Sequence, residues 1–166
     1  MRLENDLINN EDSQAQFLSF SLGDDDYGIN ILRVQEIRGW EKVRDIPKSP
    51  EYLKGVLNLR NTVVPIVDLR IRFGLEDYDY TPTTVIIVLS VESSDGSHVM
   101  GVVVDAVSDV LNIDTDSIKD PPNFGSKINT KYMSGMVMVE EQMVILLNVD
   151  KLLDQEELAI IDNVAS

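Results

Sequence analysis

The sequence has 166 residues, and its apolar content of 43% is enough for the core of one domain or of two small lobes. Lys and Arg number 14 against 29 Asp and Glu, and the net charge of −15 excludes non-specific binding to nucleic acid or anionic lipid, because both need a positive field. The absence of cysteine excludes disulfides and thiolate metal sites, and no apolar run approaches the ~18 residues of a membrane span.

Strand patterns separated by turn residues dominate the first half of the chain. Residues 1–14, which are rich in acids and amides and lack the features of a signal peptide, are expected to form a mobile tail. Residues 34–38 fit either an extended segment or a helix. Mixed apolar and polar residues bounded by Gly, Asp and Pro predict strands at 17–22, 27–31, 56–59 and 62–67.

The second half continues this pattern and adds few helical signals. Apolar runs predict strands at 84–91, 98–104, 136–139 and 143–148. Short helices are predicted at 68–73 and 114–119, and a longer helix at 150–161, where Asp150 is suited to cap the first turn. The many short strands predict an all-β fold built as a sandwich or as barrels.

Two parts of the chain resemble each other. The segment Tyr52-Leu53-Lys54-Gly55-Val56 resembles Tyr132-Met133-Ser134-Gly135-Met136, and each is followed by a strand, a polar turn and another strand. Upstream, Tyr27-Gly28-Ile29 has a counterpart in Met100-Gly101-Val102. This repeat predicts two related β lobes, each marginal alone, with an apolar groove at the seam between them as a docking site.

No catalytic constellation is recognisable in the sequence. His98 is the only histidine and falls in a predicted hairpin, and there is neither a nucleophile elbow nor a phosphate-binding glycine loop. The acidic clusters at 24–26 and 114–116 lack the spacing of a calcium loop. We therefore predict no catalytic residues, no metal site and no cofactor. A small carboxylate- or metal-dependent enzyme stays open as an alternative, because so many acids make carboxylate pairs inevitable and uninformative.

Three residues instead suggest binding to another protein. Arg60 falls at the polar tip between two strands, where its rigid fork of donors suits a carboxylate or a row of carbonyls, although a solvated turn arginine is the alternative. Glu36 is a polar residue in an apolar neighbourhood, and can equally be an exposed strand residue. Phe124 follows two prolines on a stiffened loop, where it either fills a partner's pocket or plugs its own barrel.

Several motifs, in this order, resemble the CheW family of bacterial chemotaxis coupling proteins. They include Gly55-Val56-Leu57-Asn58-Leu59-Arg60, Val64-Pro65-Ile66-Val67-Asp68-Leu69-Arg70 and the segment from Gly101 to Leu111. The resemblance implies two intertwined five-stranded SH3-like β-barrels with a few short helices. Residues 15–161 would then form a single domain, with lobes at about 23–80 and 81–150 that exchange strands, and with the C-terminal helix at 150–161.

The resemblance also implies a function. Members of the family are not enzymes, and couple methyl-accepting chemoreceptors to the histidine kinase CheA by binding receptor tips and the regulatory domain of the kinase. The chain would thus be a cytoplasmic adaptor, a monomer when free, that is recruited to chemoreceptor arrays and transmits receptor control to the kinase. It would bind no nucleic acid and insert in no membrane. A regulatory module of another two-component kinase is a further alternative.

Matching the motifs residue by residue implies two binding surfaces. The receptor-binding residues would be Glu36, Gly55, Leu57, Asn58, Arg60, Asn61, Ile87 and Val102. The kinase-binding residues would be Leu18, Ile31, Val34, Lys119 and Phe124. Asn61 stands where the family usually has Gly, and this predicts a left-handed backbone conformation that Asn tolerates better than most residues.

Overall fold

The computed structural model describes residues 13–75, 79–94, 96–121, 130–154 and 156–159. Most of them lie in ten strands: β1 Gln14–Leu22, β2 Asp25–Asn30, β3 Val34–Gly39, β4 Leu53–Leu59, β5 Thr62–Asp68, β6 Val85–Ser93, β7 Gly96–Val104, β8 Ala106–Asp114, β9 Met133–Val139 and β10 Gln142–Leu147. The predicted all-β class is confirmed, and residues 34–38 are a strand. Within the described ranges, no helix is long and apolar enough to cross a membrane.

The strands form two five-stranded sheets. The first sheet has the order β8–β1–β2–β10–β9, and the second has the order β3–β6–β7–β5–β4. Neighbouring strands are antiparallel except for β2 with β10 and β5 with β7, which are parallel. The chain leaves the first sheet after β2, builds the second sheet, and returns to the first at β8, so the two units are intertwined as predicted.

The two sheets have equivalent topologies, which gives the sequence repeat a structural meaning. The hairpin β4–β5 occupies one edge of the second sheet, and the hairpin β9–β10 occupies the corresponding edge of the first. In the second sheet, Ile66 pairs with Gly55 on one side and with Gly101 on the other. In the first sheet, Leu146 lies between two glycines in the same way. The repeat therefore specifies matching strand registers as well as similar strands.

Apolar side chains pack in three clusters, and the largest is shared by the two sheets. This shared cluster includes Phe20 and Tyr27 of the first sheet together with Ile87 and Val102 of the second. Each sheet also has a smaller cluster of its own. The chain's own core thus fills the seam at these positions, and Ile87 and Val102, which were predicted to line a groove there, are buried in it.

The predicted helix at 68–73 is present as α1, Leu69–Arg72. Asp68 caps it, because its Oδ1 accepts a hydrogen bond from the backbone N of Arg70 at 3.0 Å. The segment predicted as a helix at 114–119 is instead a single 3₁₀ turn, Thr115–Ser117, capped by Asp114. It is closed by a hydrogen bond from the Ile118 backbone N to the Thr115 carbonyl at 3.3 Å, which has the i→i+3 spacing of a 3₁₀ helix.

The helix predicted at 150–161 begins later than expected. Asp150 belongs to a 3₁₀ turn, Val149–Lys151, and α-helical backbone appears at residues 156–159. Asp154 caps this segment, because it accepts from the Glu157 backbone N at 2.7 Å and its own N donates to Glu157 Oε1 at 2.9 Å. This reciprocal capping box fixes the start of the helix four residues after the predicted cap. Residues 160–161 of the prediction lie outside the described residues.

Candidate functional site

The β4–β5 hairpin ends in a two-residue turn at Arg60 and Asn61. Both residues have left-handed backbone angles, with φ of 52° at Arg60 and 66° at Asn61. Two consecutive residues with positive φ match the right-handed twist of the flanking strands, which is why tight hairpins use this turn. The left-handed conformation predicted at Asn61 is confirmed, and it extends to Arg60. The turn therefore holds Arg60 on a fixed part of the backbone.

Substitutions at Asn61 should reflect this backbone angle. Asn61→Val is expected to lower the free energy of unfolding by about 1–2 kcal/mol, because a β-branched side chain is strained at positive φ. Asn61→Gly should leave stability within about 0.5 kcal/mol of the wild type, since Gly adopts positive φ freely. Urea denaturation measures both changes. Asn58→Val, the same exchange at an exposed extended position, is the matched control and should be close to neutral.

Gly55 has a structural role at the base of the same hairpin. A backbone bridge joins Arg44 to the next residue, Val56, through hydrogen bonds of 3.0 and 2.9 Å. Gly55 has a φ of 148°, and a Cβ atom at this position would overlap the carbonyl oxygen of Arg44. Only glycine permits this approach, because it has no Cβ. Gly55 is also buried, so it shapes the predicted receptor surface without presenting a side chain to it.

Glu36 lies beside the hairpin tip between two arginines. Its Oε2 is 3.4 Å from Arg60 Nη2, and its Oε1 is 3.6 Å from Arg38 Nη1. Arg38 also contacts Glu41, at 3.1 Å. The Arg60 side chain is 86% exposed, so water screens its attraction to Glu36 and a partner's carboxylate can compete for it. The geometry brings Glu36 and Arg60 together, although they are 24 residues apart in the sequence.

The predicted receptor-binding residues divide into a surface group and a buried group. Glu36, Asn58, Arg60 and Asn61 lie at the surface or are half-buried around the hairpin tip. Leu57, Ile87 and Val102 are core residues: Leu57 packs inside the second sheet's own cluster, and the other two belong to the shared cluster. Strands β4, β6 and β7 are covered on the faces that carry these side chains, and the role of the three residues in receptor binding stays a prediction.

The predicted kinase-binding residues are similarly divided. Leu18 is 3% exposed and belongs to the shared core cluster, and its role in kinase binding stays a prediction. Ile31 and Val34 are half-buried and pack against that cluster, while Lys119 is exposed and pairs with Met136 at the edge of β9. Phe124 lies outside the described residues. Ile31 and Val34 thus remain together, at the connection between β2 and β3.

Leu32 is the residue in this region that sequence reasoning missed. It is 87% exposed, more than the other large apolar residues in the described part of the chain, and it lies in the 3₁₀ turn Ile31–Arg33. Asn30 caps this turn by accepting a hydrogen bond from the Leu32 backbone N at 2.9 Å. A cavity of about 380 Å³ adjoins it, lined by Gln14, Ala15, Gln16, Asn30, Ile31, Leu32 and Asn112. The signal in the sequence was a capping Asn followed by two apolar residues, which a short turn cannot both bury.

An ion pair fixes the turn that carries Leu32. Arg33 donates two parallel hydrogen bonds to the carboxylate of Asp150, at 2.8 and 2.9 Å, and a third to the carbonyl of Ser90 at 3.2 Å. Burial alone would raise the pKa of Asp150, but the hydrogen bonds from Arg33 and from the Glu92 backbone N outweigh it and lower that pKa. The bidentate geometry holds the turn against the 3₁₀ segment Val149–Lys151.

A buried ionic network links the two sheets at the end of β5 that lies away from the hairpin tip. Arg70 is 1% exposed, and its guanidinium donates to both carboxylate oxygens of Asp68 at 2.9 Å and to Asp105 at 3.0 Å. Asp105 also accepts from the Gly23 backbone N at 2.7 Å, in the turn between β1 and β2. Burial and the negative charge of Asp68 raise the pKa of Tyr80, whose hydroxyl donates to that carboxylate, to about 12. Sequence reasoning missed this network, because charged residues at a helix start read as surface residues.

A site for a metal ion is absent from the part of the chain that the structure describes. In residues 13–75, 79–94, 96–121, 130–154 and 156–159, no group of three His, Cys, Asp or Glu side chains is placed to hold a metal ion. The surface around Glu36 and Arg60 carries alternating charges beside a tight hairpin turn. The surface around Leu32 consists of an exposed apolar side chain surrounded by amide side chains. Both arrangements are typical of protein–protein contacts.

Comparisons with known proteins agree with this assessment. The model of the CheW-like domain matches residues 16–157. The chemotaxis protein CheW of Klebsiella aerogenes is 46% identical over 150 residues, which is 90% of this chain and 88% of that protein. The chemotaxis protein CheW of Rhizobium meliloti is 37% identical over 142 residues, or 86% of this chain and 89% of that one.

A solved structure shows the same fold. The scaffolding protein TtCheW from Thermoanaerobacter tengcongensis superposes with a TM-score of 0.76 at 30% identity, over 86% of this chain and 90% of that protein. Family model, relatives and fold thus point to one conclusion. The chain belongs to the CheW-like family and is a non-catalytic chemotaxis scaffold.

Proposed function

We propose that this chain couples methyl-accepting chemoreceptors to the histidine kinase CheA, and that it transmits receptor control of kinase activity within cytoplasmic signalling arrays. In this role residues 15–161 act as one domain with two separate binding surfaces, and no cofactor takes part. Membership of the CheW-like family supports the proposal. So does the presence of two surface patches, one around the β4–β5 tip and the other at the β2–β3 connection.

The observation that carries the proposal is the placement of Arg60. Its backbone is fixed by the left-handed turn, its side chain is 86% exposed, and Glu36 holds it only at 3.4 Å. A partner carboxylate can therefore replace Glu36 without unfolding any part of the hairpin. Asn58 beside it on β4 offers an exposed amide that both donates and accepts hydrogen bonds. We assign this surface, formed by Glu36, Asn58, Arg60 and Asn61, to the receptor's helical hairpin.

Arg60→Ala is expected to weaken receptor binding about tenfold or more, because truncating an arginine anchor at an interface costs about 1–2 kcal/mol or more. Titration calorimetry with a receptor cytoplasmic fragment measures the affinity, and thermal melting checks the fold.

Lys48→Ala is the matched control for this experiment. Lys48 is an exposed cation with a φ of 59°, so the exchange removes the same charge from the same backbone conformation at a different place. It should change receptor affinity by less than about twofold. If the Arg60→Ala protein and the wild type bind the receptor fragment with equal affinity, Arg60 is not part of the receptor-binding surface.

The second surface is assigned to the regulatory domain of the kinase. Ile31, Leu32 and Val34 present apolar side chains on a turn that the Arg33–Asp150 ion pair holds in place. A rigid, exposed leucine beside an amide-lined cavity suits the apolar centre of a partner surface. Lys119 and Phe124 are proposed as a separate contact with the kinase.

Leu32→Ser is expected to weaken kinase binding about tenfold while leaving the melting temperature unchanged, because the side chain is already 87% exposed in the free protein. Val63→Ser is the control, because it removes a partly exposed apolar side chain from the β4–β5 hairpin of this chain. It should leave the affinity for the kinase unchanged. Binding of the isolated regulatory domain, followed by surface plasmon resonance, distinguishes the two. Retention of full affinity by the Leu32→Ser protein would show that the kinase binds elsewhere.

A further inference from the structure

The hairpin β9–β10 is the counterpart, in the first sheet, of the hairpin that carries Arg60, and its surface has a different chemistry. Cross-strand partners Asn58 and Val63 in the second sheet correspond to cross-strand partners Met138 and Met143 in the first. Met138 is 57% exposed and Met143 is 40% exposed. Two adjacent methionines at the surface form an apolar and adaptable contact area, because the thioether side chain is flexible and polarisable.

The tip of this hairpin is acidic where the other is basic. Glu140 and Glu141 occupy the turn with φ of 49° and 69°, the same left-handed pair of angles as at Arg60 and Asn61. Both glutamates are exposed. Glutamate gains nothing from positive φ, so the turn holds two negative charges on a fixed backbone at some conformational cost.

A third acid lies on the other side of the methionine pair. Strand β2 runs parallel to β10, and Val144 pairs with Asp26. One residue earlier on each strand, Asp25 therefore lies level with Met143, and Asp25 is exposed. Further along the same strands, Tyr27 and Ile145 pair and are buried in the shared cluster. The methionine pair is thus the uncovered end of an apolar face, and acids border it.

We propose that Met138 and Met143, with Asp25, Glu140 and Glu141 around them, form a docking surface for a basic, apolar segment of a partner protein, one that carries Leu-like side chains flanked by Lys or Arg. We call these five residues the methionine–acid surface. The methionines supply apolar area, and the three carboxylates select positive charge and reject acidic segments. This surface does not depend on the function proposed for the Arg60 hairpin.

Charge complementarity favours this occupant over others. The first twelve residues of the chain contain one Arg against four acids, so they would be repelled by the carboxylates of the surface. A second copy of the chain brings a net charge of −15. The opposite signs at Arg60 and at Glu140–Glu141 also mean that the two equivalent hairpins select different partners.

The test uses two synthetic amphipathic peptides, one of leucine and lysine and the other with glutamate in place of each lysine. The full chain is labelled at its methionine methyl groups, and the six methionines are followed by NMR during titration. The lysine peptide is expected to shift the signals of Met138 and Met143 saturably, with smaller changes at the other methionines. The glutamate peptide should shift none of them.

Two variants and one control then locate the site. Titration calorimetry measures peptide affinity in the variants, because the first of them lacks the two reporter methionines. Affinity for the lysine peptide should fall at least about tenfold in Met138→Ser/Met143→Ser and in Glu140→Lys/Glu141→Lys, and the second variant keeps the test valid if the first folds poorly. The control, Asp109→Lys/Asp116→Lys, makes the same charge change at exposed acids elsewhere on the protein. It should lower the affinity for the lysine peptide by less than about twofold. An equal loss in the control variant, or shifts spread over all methionines, would show non-specific attraction to an acidic protein and overturn the proposal. Concentration-dependent shifts without peptide would show self-association at this surface, and would overturn it too.

Discussion

Replacing Arg70 by Met is expected to lower the free energy of unfolding by about 3–5 kcal/mol, because it removes one partner of a buried ionic network. Asp68 is fully buried, and without the guanidinium the donors that its carboxylate keeps among the described residues are the Arg70 backbone N and the Tyr80 hydroxyl. Asp105 accepts hydrogen bonds from Gly23 in the β1–β2 turn and from Arg70 in α1. Without the arginine side chain, Asp105 no longer joins that turn to α1. The loss therefore weakens the connection between the two sheets as well as a single contact.

Urea denaturation followed by circular dichroism measures this change. Arg38→Met is the matched control, because Arg38 is 34% exposed and its ion pairs with Glu36 and Glu41 lie near solvent. It should cost less than about 1 kcal/mol. Stability of the Arg70→Met protein within about 1 kcal/mol of the wild type would mean that the network contributes little, as for a surface ion pair.

Replacing Gly55 by Ala is expected to destabilise the protein by at least about 3 kcal/mol, because backbone strain and overpacking act together. The added Cβ would meet the backbone of Arg44, which has no flexible side-chain end to move aside. The overlap can be relieved only if the backbone bridge between Arg44 and Val56 breaks. The hairpin would then shift relative to Glu36, so receptor affinity should fall together with stability.

Gly39→Ala provides the control for this change, because a Cβ at Gly39 meets nothing within 4 Å. Thermal melting should place the Gly39→Ala protein close to the wild type and the Gly55→Ala protein far below it. A Gly55→Ala protein that melts with the wild type would contradict the close approach of the Arg44 carbonyl.

The hairpin and the repeat were predictable from the sequence for a clear reason. Apolar strands around a polar tip indicated β4–β5, and the recurrence of its pattern at residues 132–136 indicated its counterpart β9–β10. The left-handed angle at Asn61 was an expectation of the family resemblance, which implies Gly at this position, and φ is 66°. The hairpin and the repeat depend on neighbours in sequence, which a single sequence does contain.

The sequence did not indicate that Leu18, Leu57, Ile87 and Val102, which the resemblance assigns to binding surfaces, are buried in the core. Periodicity distinguishes the two faces of a strand only where one face is solvated. In β6, Ile86, Ile87, Val88 and Leu89 are all buried, so alternation gives no indication of which side chain meets a partner. Leu32 was missed for the opposite reason, since an apolar residue beside Ile31 reads as core.

Two other features depend on contacts between distant parts of the chain. The sequence indicated no strand at 106–114, because β8 lies at a sheet edge and mixes exposed Ser, Asp and Asn with few buried residues. Arg70 is buried between Asp68, two residues before it, and Asp105, 35 residues after it. Contacts of this kind are set by the topology of the sheets and cannot be inferred from local pattern.

The central claim, that this chain places the kinase under receptor control through the Arg60 surface, is tested most directly by reconstitution. Receptor fragments, CheA and this chain are combined, and kinase autophosphorylation is measured with the receptor in its activating and inhibiting states. We expect the wild-type and Lys48→Ala proteins to restore the difference between the two states, and the folded Arg60→Ala protein to lose most of it. Two results would contradict the account. One is autophosphorylation that does not respond to receptor state when the wild-type chain is present, and the other is a response that is equally large with the Arg60→Ala protein.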